Sequence, residues 1–570
     1  MSPGSFFFVV KFNLIKIQIQ NPNVFSSDDS TGHTVRSLAA GDSFDKKQRI
    51  IDSNIACLEE SIRVLKSHRN DLPPISRLPV EILCNIFKLS LTESQPDSWT
   101  NFSQVSQHWR TSALGAPELW TSIPLNYPRW AQEMLIRSKM ANLTIRFSPP
   151  PHKSNPKTFE IVRLCLYEIK RVAEMKFTAI PVSKLKKILR GLPKSAPQLH
   201  TLCLRPFYSG TAFSILDDFL CETERLQHVE LINCKISWDS RLLTDLTCLR
   251  LHDSLKANSS IVQVLHALQR MPALTDLYLV DSIPDDSEGL STQVVVDLPC
   301  LRVLDISSEV GALTAVLRHI TFPSSATLNL TCTESQSTQI DFSNFLSVLA
   351  MKFLSTLVIR GLSLHVPLTN LTHNHLELLS TIALISTSQM SQSQLQLVMK
   401  WPNSQPHNYL KTLTCAFDAM SLSFLTQLQI STYYIDSRTW VKTFGKLPLL
   451  ERVCVQKYAL PPFLEALVHK TKTAEESEAA YRNVSFPKLR YIHLEGIGFY
   501  KTLVDMLLDC LMERYERNAE VQLLRLDDCS DISSVEVERL KKVVVDVIWD
   551  GLEPCHDLDD LENCLVSDDE

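Results

Sequence analysis

Leu226-Gln227-His228-Val229-Glu230-Leu231-Ile232-Asn233-Cys234-Lys235-Ile236 sets large apolar residues at positions one, four and six of the segment. In extended backbone, successive side chains point to opposite faces. Val229 and Leu231 therefore share one face, with His228 and Glu230 on the other. The same spacing returns at Leu199-Leu202-Leu204, Leu246-Leu249-Leu251, Leu274-Leu277-Leu279 and Leu301-Leu304-Ile306. It continues at Leu354-Leu357-Ile359, Leu379-Ile382-Leu384, Leu425-Leu428-Ile430, Leu450-Val453-Val455, Leu489-Ile492-Leu494 and Val521-Leu524-Leu526. Helix-like stretches lie between: Ile261–Met271, Ala312–Ile320, Phe342–Leu349, Pro462–Val468, Leu503–Met512 and Val535–Trp549. Strand followed by helix, repeated, predicts a parallel sheet with helices on its outer side. No unit can bury its apolar face alone, so neighbours must stack.

The step between copies, mostly in the twenties, resembles the leucine-rich repeat with its period of roughly 20–29 residues. The segment from Leu226 resembles the full consensus, with Cys234 at the Asn/Cys position, and Val521 to Cys529 is a second good copy. The expected fold class is α/β: an N-terminal helical module, then a curved solenoid over 127–549 with a parallel β-sheet and outer helices. The insert Thr471–Arg482 stretches one unit, and the repeats in 306–354 and 384–425 are too irregular to count. On the concave face the pattern places His228 and Glu230, Arg250 and His252, Asp276 and Tyr278, Val303 and Asp305. Farther along it places Thr356, Val358 and Arg360, then Tyr491, His493 and Glu495, then Arg525 and Asp527. Arg and Tyr are common anchors at protein interfaces. The target-binding candidates are His228, Glu230, Arg250, Asp276, Tyr278, Asp305, Arg360, Tyr491, His493 and Arg525. A plain solvated face is the other reading.

Toward the N-terminus, residues 1–45 lose all periodicity and read as a poorly ordered segment. Ile51, Ile55, Leu58, Ile62 and Leu65 then form one seam on a helix over 46–71. Two heptads are short for a self-associating coiled coil, so the helix is expected to pack on the next module. Asp71-Leu72-Pro73-Pro74 ends it, since proline disfavours helix in the residue before it. Three pieces follow within 72–126: Leu78-Pro79-Val80-Glu81-Ile82-Leu83, running on to Ile86-Phe87; Val105-Ser106 with Trp109-Arg110; and Pro117-Glu118-Leu119-Trp120. Together, across 75–120, they resemble the F-box in the version common in large fungal families. The loop Thr92–Thr100 departs from a minimal F-box by its length.

The F-box resemblance implies a helical docking face for a Skp-family adaptor and, through it, a cullin ubiquitin ligase. Carried onto this sequence, the adaptor-binding residues would be Leu78, Pro79, Glu81, Ile82, Leu83, Ile86, Phe87, Val105 and Trp109. A module this small cannot bury all its apolar side chains, and a leftover patch usually marks a partner. The same side chains could instead form a core that joins the helix to the repeats.

Other chemistry finds little material. Thirteen glycines in 570 residues leave few phosphate-cradling loops, and neither Gly-x-Ser-x-Gly nor His-Glu-x-x-His occurs. A net charge of −6 gives no overall attraction to nucleic acid. The 15 cysteines include no Cys-x-x-Cys pair, so buried reduced thiols are expected. His373-Asn374-His375 has only Glu377 as a nearby acidic partner, so neither metal nor cofactor is expected. Met1–Ser5 lacks a basic segment and Lys11 ends the apolar run Phe6–Val10, so no secretory signal is expected, and the sequence has no stretch of about 18 uninterrupted apolar residues, so no membrane span is expected. The tail 550–570 is acidic and expected to be solvated. An intracellular, non-enzymatic protein follows: a substrate receptor of a Skp–cullin–F-box ligase with an unknown target, or a ligase-independent scaffold whose F-box-like helices cap the solenoid.

Overall fold

Two rows of apolar side chains, running from strand to strand, organise most of the chain. The computed structural model describes residues 43–91, 102–149, 156–207, 213–216, 218–254, 259–285, 294–333, 342–354, 359–365, 373–381, 393–402, 408–431, 435–468 and 484–552. The chain divides into two units, with the boundary between Leu119 and Trp120.

The second unit carries a sixteen-stranded sheet. Its strands are β1 (Leu143–Phe147), β2 (Val172–Ile180), β3 (Thr201–Pro206), β4 (His228–Ile232), β5 (Cys248–His252), β6 (Asp276–Val280), β7 (Val303–Glu309) and β8 (Thr327–Thr333). Then come β9 (Gly361–His365), β10 (His373–Thr381), β11 (Ser393–Pro402), β12 (Gln427–Ile430), β13 (Arg452–Gln456), β14 (Tyr491–Glu495), β15 (Leu523–Asp527) and β16 (Asp546–Trp549). From β1 to β8, and again from β12 to β16, sequence neighbours pair in parallel. Such pairing needs a crossover each time, and helices such as Ile261–Gln269 and Val310–His319 supply several of them.

Register turns the leucine spacing into continuous rows. Leu202, Val229, Leu249, Leu277, Leu304, Leu328 and Leu395 stand side by side, as do Leu204, Leu231, Leu251, Leu279, Ile306, Leu330 and Leu397. All are buried. Burying one such side chain is worth about 1.5–3 kcal/mol.

A turn recurs at the strand ends. Asn233, Asp253, Asp281, Gly496 and Asp528 each follow a strand directly, with φ of 54°, 49°, 46°, 62° and 52°. Asn, Asp and Gly are the residues that accept this left-handed backbone most readily. After three of these turns, a small buried side chain donates to a carbonyl on the preceding strand. Cys234 Sγ reaches Leu204 O at 3.5 Å, Ser254 Oγ reaches Leu231 O at 3.0 Å, and Cys529 Sγ reaches Leu494 O at 3.5 Å.

The middle of the sheet corrects the sequence expectation. β9, β10 and β11 form an antiparallel meander, joined in parallel to β8 through β11 and to β12 through β9. The expected units at Leu354-Leu357-Ile359 and Leu379-Ile382-Leu384 are therefore not parallel repeats. Leu354 ends a π-helical turn, Ala350–Leu354, Ile359 precedes β9, and Leu379 lies on antiparallel β10. Alternating apolar residues pair in either direction, so spacing alone does not fix strand direction. Leu357, Ile382 and Leu384 lie outside the described residues, as do Thr92–Thr100, Thr471–Arg482 and most of the two terminal segments. The expected helix Val535–Trp549 stops at Leu540, and Asp546–Trp549 is the last strand. The β-branched run Val543-Val544-Val545, followed by Val547 and Ile548, favours extended backbone.

In the first unit, α1 (Phe44–Asp71) is followed by α2 (Val80–Ser90) and α3 (Gln107–Gly115). Pro79 precedes α2, and the Ser106 hydroxyl caps α3 by accepting from Trp109 N at 3.1 Å. No residue of α1 is buried, so its seam does not pack on the following helices as the spacing led one to expect.

Truncating Leu277 to Ala should cost about 2–5 kcal/mol of unfolding free energy, by loss of burial and a residual cavity. His228→Ala, on the opposite and exposed face, should stay within about 0.5 kcal/mol. Urea titrations of the two variants beside the parent protein make the comparison.

Candidate functional site

The first unit builds its core from one stripe of α2. Leu83 and Phe87, one helical turn apart, are buried. The Phe87 ring stacks on Phe102 at 4.6 Å between centroids and lies 5.1 Å from Trp109. Cys84 Sγ is 3.9 Å from Ser112 O, and Lys88 pairs with Glu118, so α2 is tied to the segment around α3 at several points.

A second apolar stripe on α2 has no such cover. Ile82, Ile86 and Leu89 are 46%, 36% and 85% exposed, and Val105 is 52% exposed. Of the residues expected to face an adaptor, Ile82, Ile86 and Val105 are thus exposed together with Pro79 and Glu81, while Leu78 and Trp109 are half-buried. Leu83 and Phe87, expected on the same face, are buried in the chain alone. One residue is a rotation of about 100° on a helix, which turns 83 and 87 inward and leaves 82 and 86 outside. Leu89 completes the outer stripe and was missed, although its spacing from Ile82 and Ile86 could have flagged it.

Residues 75–125 match the family model described as F-box-like. The chain carries an F-box-like domain. No curated protein matches the chain. The family match begins in the first unit and runs past the boundary at Leu119 into the second.

Beyond the F-box-like domain, the open face of the sheet gathers the polar residues that alternate with the leucines. His228, Glu230, Arg250, Asp276, Tyr278 and Asp305 fall on neighbouring strands β4 to β7. Arg250 lies over the Tyr278 ring at 4.1 Å, and Glu230 pairs with Arg205. Asp305 accepts from Asn329 Nδ2 at 3.2 Å, yet burial outweighs that bond and raises its pKa above the usual carboxylate range.

A second group sits on β13 to β15. Arg452 lies over the Tyr491 ring at 4.8 Å. His493 Nε2 is 2.9 Å from Asp527 Oδ2, and its Nδ1 is 3.4 Å from Cys454 Sγ. Arg525 Nε donates to the same Asp527 oxygen at 2.6 Å, while Gln456 Nε2 donates to Glu495 Oε2 at 2.6 Å. Burial raises the Asp527 pKa, but the hydrogen bonds from Arg525 and His493 outweigh it and hold the group below its ordinary value. Burial, reinforced by the charges of Glu495 and Asp527, pushes the Cys454 thiol up to about 12. A cavity of about 380 Å³ opens here, lined among others by Cys454, Tyr491, His493 and Arg525.

Arg360 is the exception among the expected face residues. It precedes β9, where its carbonyl accepts from the backbone N–H groups of Thr426 and Gln427. Thr356 and Val358 lie outside the described residues, as do the side chains of His373, His375 and Glu377 on β10. Cys454 was missed, although it sits between Val453 and Val455 at the position of an outward residue. Among the described residues no helix is long and apolar enough to cross a membrane.

Leu83→Ala or Phe87→Ala should destabilise the F-box-like domain by about 2–5 kcal/mol, as core truncations do. Ile86→Ala should cost under about 1 kcal/mol. Denaturant unfolding of the three variants reads the difference.

Proposed function

We propose that the chain is a substrate-receptor subunit of a Skp–cullin–F-box ubiquitin ligase, docking a Skp-family adaptor through the F-box-like domain. The observation that carries this reading is the exposed stripe Ile82, Ile86 and Leu89 on a helix whose other side already fills the domain's core. Contiguous apolar surface of this kind usually marks a partner site. The sheet unit would act as a leucine-rich-repeat domain that captures the target. Its in-register leucine rows and the recurring turn with a small hydrogen-bonding side chain, as at Cys234, Ser254 and Cys529, support that reading. The anchors would be the aromatic–arginine pairs Arg250–Tyr278 and Arg452–Tyr491.

In this scheme the chain itself does no chemistry. It holds a target near a ubiquitin carrier and so raises the effective concentration of the target's lysines. Such work belongs inside the cell. A ligase-independent scaffold is the second reading, and the burial of Leu83 and Phe87 favours it, because side chains of a domain core are not free to anchor an adaptor.

Calorimetric titration of the purified chain with a Skp-family adaptor separates the two. Ile82→Glu combined with Ile86→Glu should weaken binding at least tenfold, as loss of an interface hot spot does, with the melting temperature unchanged. Tyr278→Ala and Tyr491→Ala should leave adaptor affinity as it was. An unmodified chain that binds no adaptor leaves the scaffold reading standing.

A further inference from the structure

We propose that Cys454, His493 and Glu495 form a binding site for a divalent cation of the zinc class on the open face of the sheet. The three come together because of register. Cys454 on β13 is the direct partner of His493 on β14, and Glu495 follows two residues later on the same face. Their donor atoms all lie within 4.8 Å of one another. The Cys454 Sγ to His493 Nδ1 distance is 3.4 Å, and the Sγ to Glu495 Oε2 distance is 3.9 Å. Tetrahedral zinc, with bonds of about 2.3 Å to sulfur and about 2.0–2.1 Å to nitrogen or oxygen, would set such pairs about 3.5 Å apart. The two separations from Cys454 therefore lie within an ångström of that spacing.

The surroundings are those of a ligand set. His493 turns its other ring nitrogen to Asp527, the carboxylate–histidine arrangement that orients a metal-binding imidazole. Arg525 holds Asp527, and Gln456 holds Glu495. A mixed sulfur, nitrogen and oxygen set suits zinc and disfavours magnesium or calcium, which take oxygen. Three protein ligands leave one position, and Cys454 and His493 both line the cavity. Among the described residues the other comparable cluster, His252, Asp253 and Asp281, carries no such case. Its two carboxylates are exposed and belong to left-handed turn residues. The cation site stands independently of the adaptor reading.

The test is titration of the chelator-stripped full chain with Co²⁺. One equivalent should give thiolate-to-cobalt charge-transfer absorption, lost in Cys454→Ser and in His493→Ala and competed away by Zn²⁺. Asp527→Asn, which removes only the group behind the histidine, should weaken Zn²⁺ binding roughly 10–100-fold. Matching melting curves of the metal-free proteins show that the variants fold. No cobalt absorption in the parent chain, or absorption that survives Cys454→Ser, overturns the site.

A separate observation concerns α1, for which we infer a second copy of this chain as the partner. The helix spans 28 residues, nearly twice the length of the seam read from Ile51 to Leu65. Phe44, Ile51, Leu58, Leu65 and Leu72 recur every seven residues, with Ile55 and Ile62 between them, and all seven are at least 39% exposed. The seam itself selects what covers it. Isoleucine at the central a positions, 55 and 62, with leucine at the d positions 58 and 65 follows the pattern of a parallel two-stranded coiled coil, while Phe44 and Ile51 hold the first two d positions, Gln48 and Arg69 the outer a positions, and Leu72 caps the helix. In that register Lys47 at g faces Asp52 at e of the partner helix, and the Arg63–Glu60 ion pair stays on the outer face.

Light scattering of the full chain should give a dimer, converted to monomer by Ile55→Glu with Leu58→Glu. Both side chains are already exposed, so the change should leave the melting temperature of the sheet unit where it was. A monomeric parent chain at tens of micromolar, whether or not it binds another protein through α1, overturns the inference. So does a dimer that persists in the double variant.

Discussion

A parallel strand cannot be closed by a tight turn, so each of these strands depends on a crossover, and each crossover helix depends on an apolar sheet face to cover. In-register pairing satisfies both needs. It aligns the first inward residue of every strand with that of its neighbour, so that Leu249, Leu277 and Leu304 make one wall instead of three isolated contacts. A slip of one residue would turn every such side chain to solvent. The left-handed turns after β4, β5 and β15 help to hold the register, because each brings a small donor back to a carbonyl of the adjacent strand.

The same register decides what the open face can do. Strands about 4.8 Å apart bring equivalent outward residues within reach of one another, whatever their distance in sequence. Arg250 meets Tyr278 in this way, and Cys454 meets His493 across 39 residues of chain. Function on such a surface is written in columns across strands, and a single repeat read along the chain does not display it. The antiparallel meander β9–β11 separates the two groups, so Arg250–Tyr278 and the Cys454–His493 cluster are distinct patches of one sheet.

Legibility followed the strength of the local signal. Nine of the eleven apolar triplets read from the sequence fall at parallel strands of the sheet, because leucine at fixed spacing leaves little choice. β1 and β2 went unread: their inward residues include Leu143, Ile145, Phe147, Met175 and Phe177, and the two pairs that face each other across the strands, Ile145–Met175 and Phe147–Phe177, contain no leucine. β8 and β11 fell in stretches whose spacing was too irregular to count. The meander was misassigned because alternation carries no direction. At the candidate cation site, His493 and Glu495 were placed on the correct face. Cys454 was set aside as one more buried thiol, since what distinguishes it is the residue across the strand.

Helix α2 shows most sharply what a sequence leaves open. Val80, Ile82, Leu83, Ile86, Phe87 and Leu89 make it apolar on two sides, and spacing cannot say which side faces inward. Packing decides: Phe87 fits between Phe102 and Trp109, which commits Leu83 to the core and turns Ile82, Ile86 and Leu89 to water. Full burial of such a side chain is worth about 1.5–3 kcal/mol, less at the fractions exposed here. That stabilisation is unrealised while the stripe faces solvent. A partner that covered it would gain what the domain leaves unused, and the core behind it, already filled by Leu83 and Phe87, would hold the stripe in place without rearrangement.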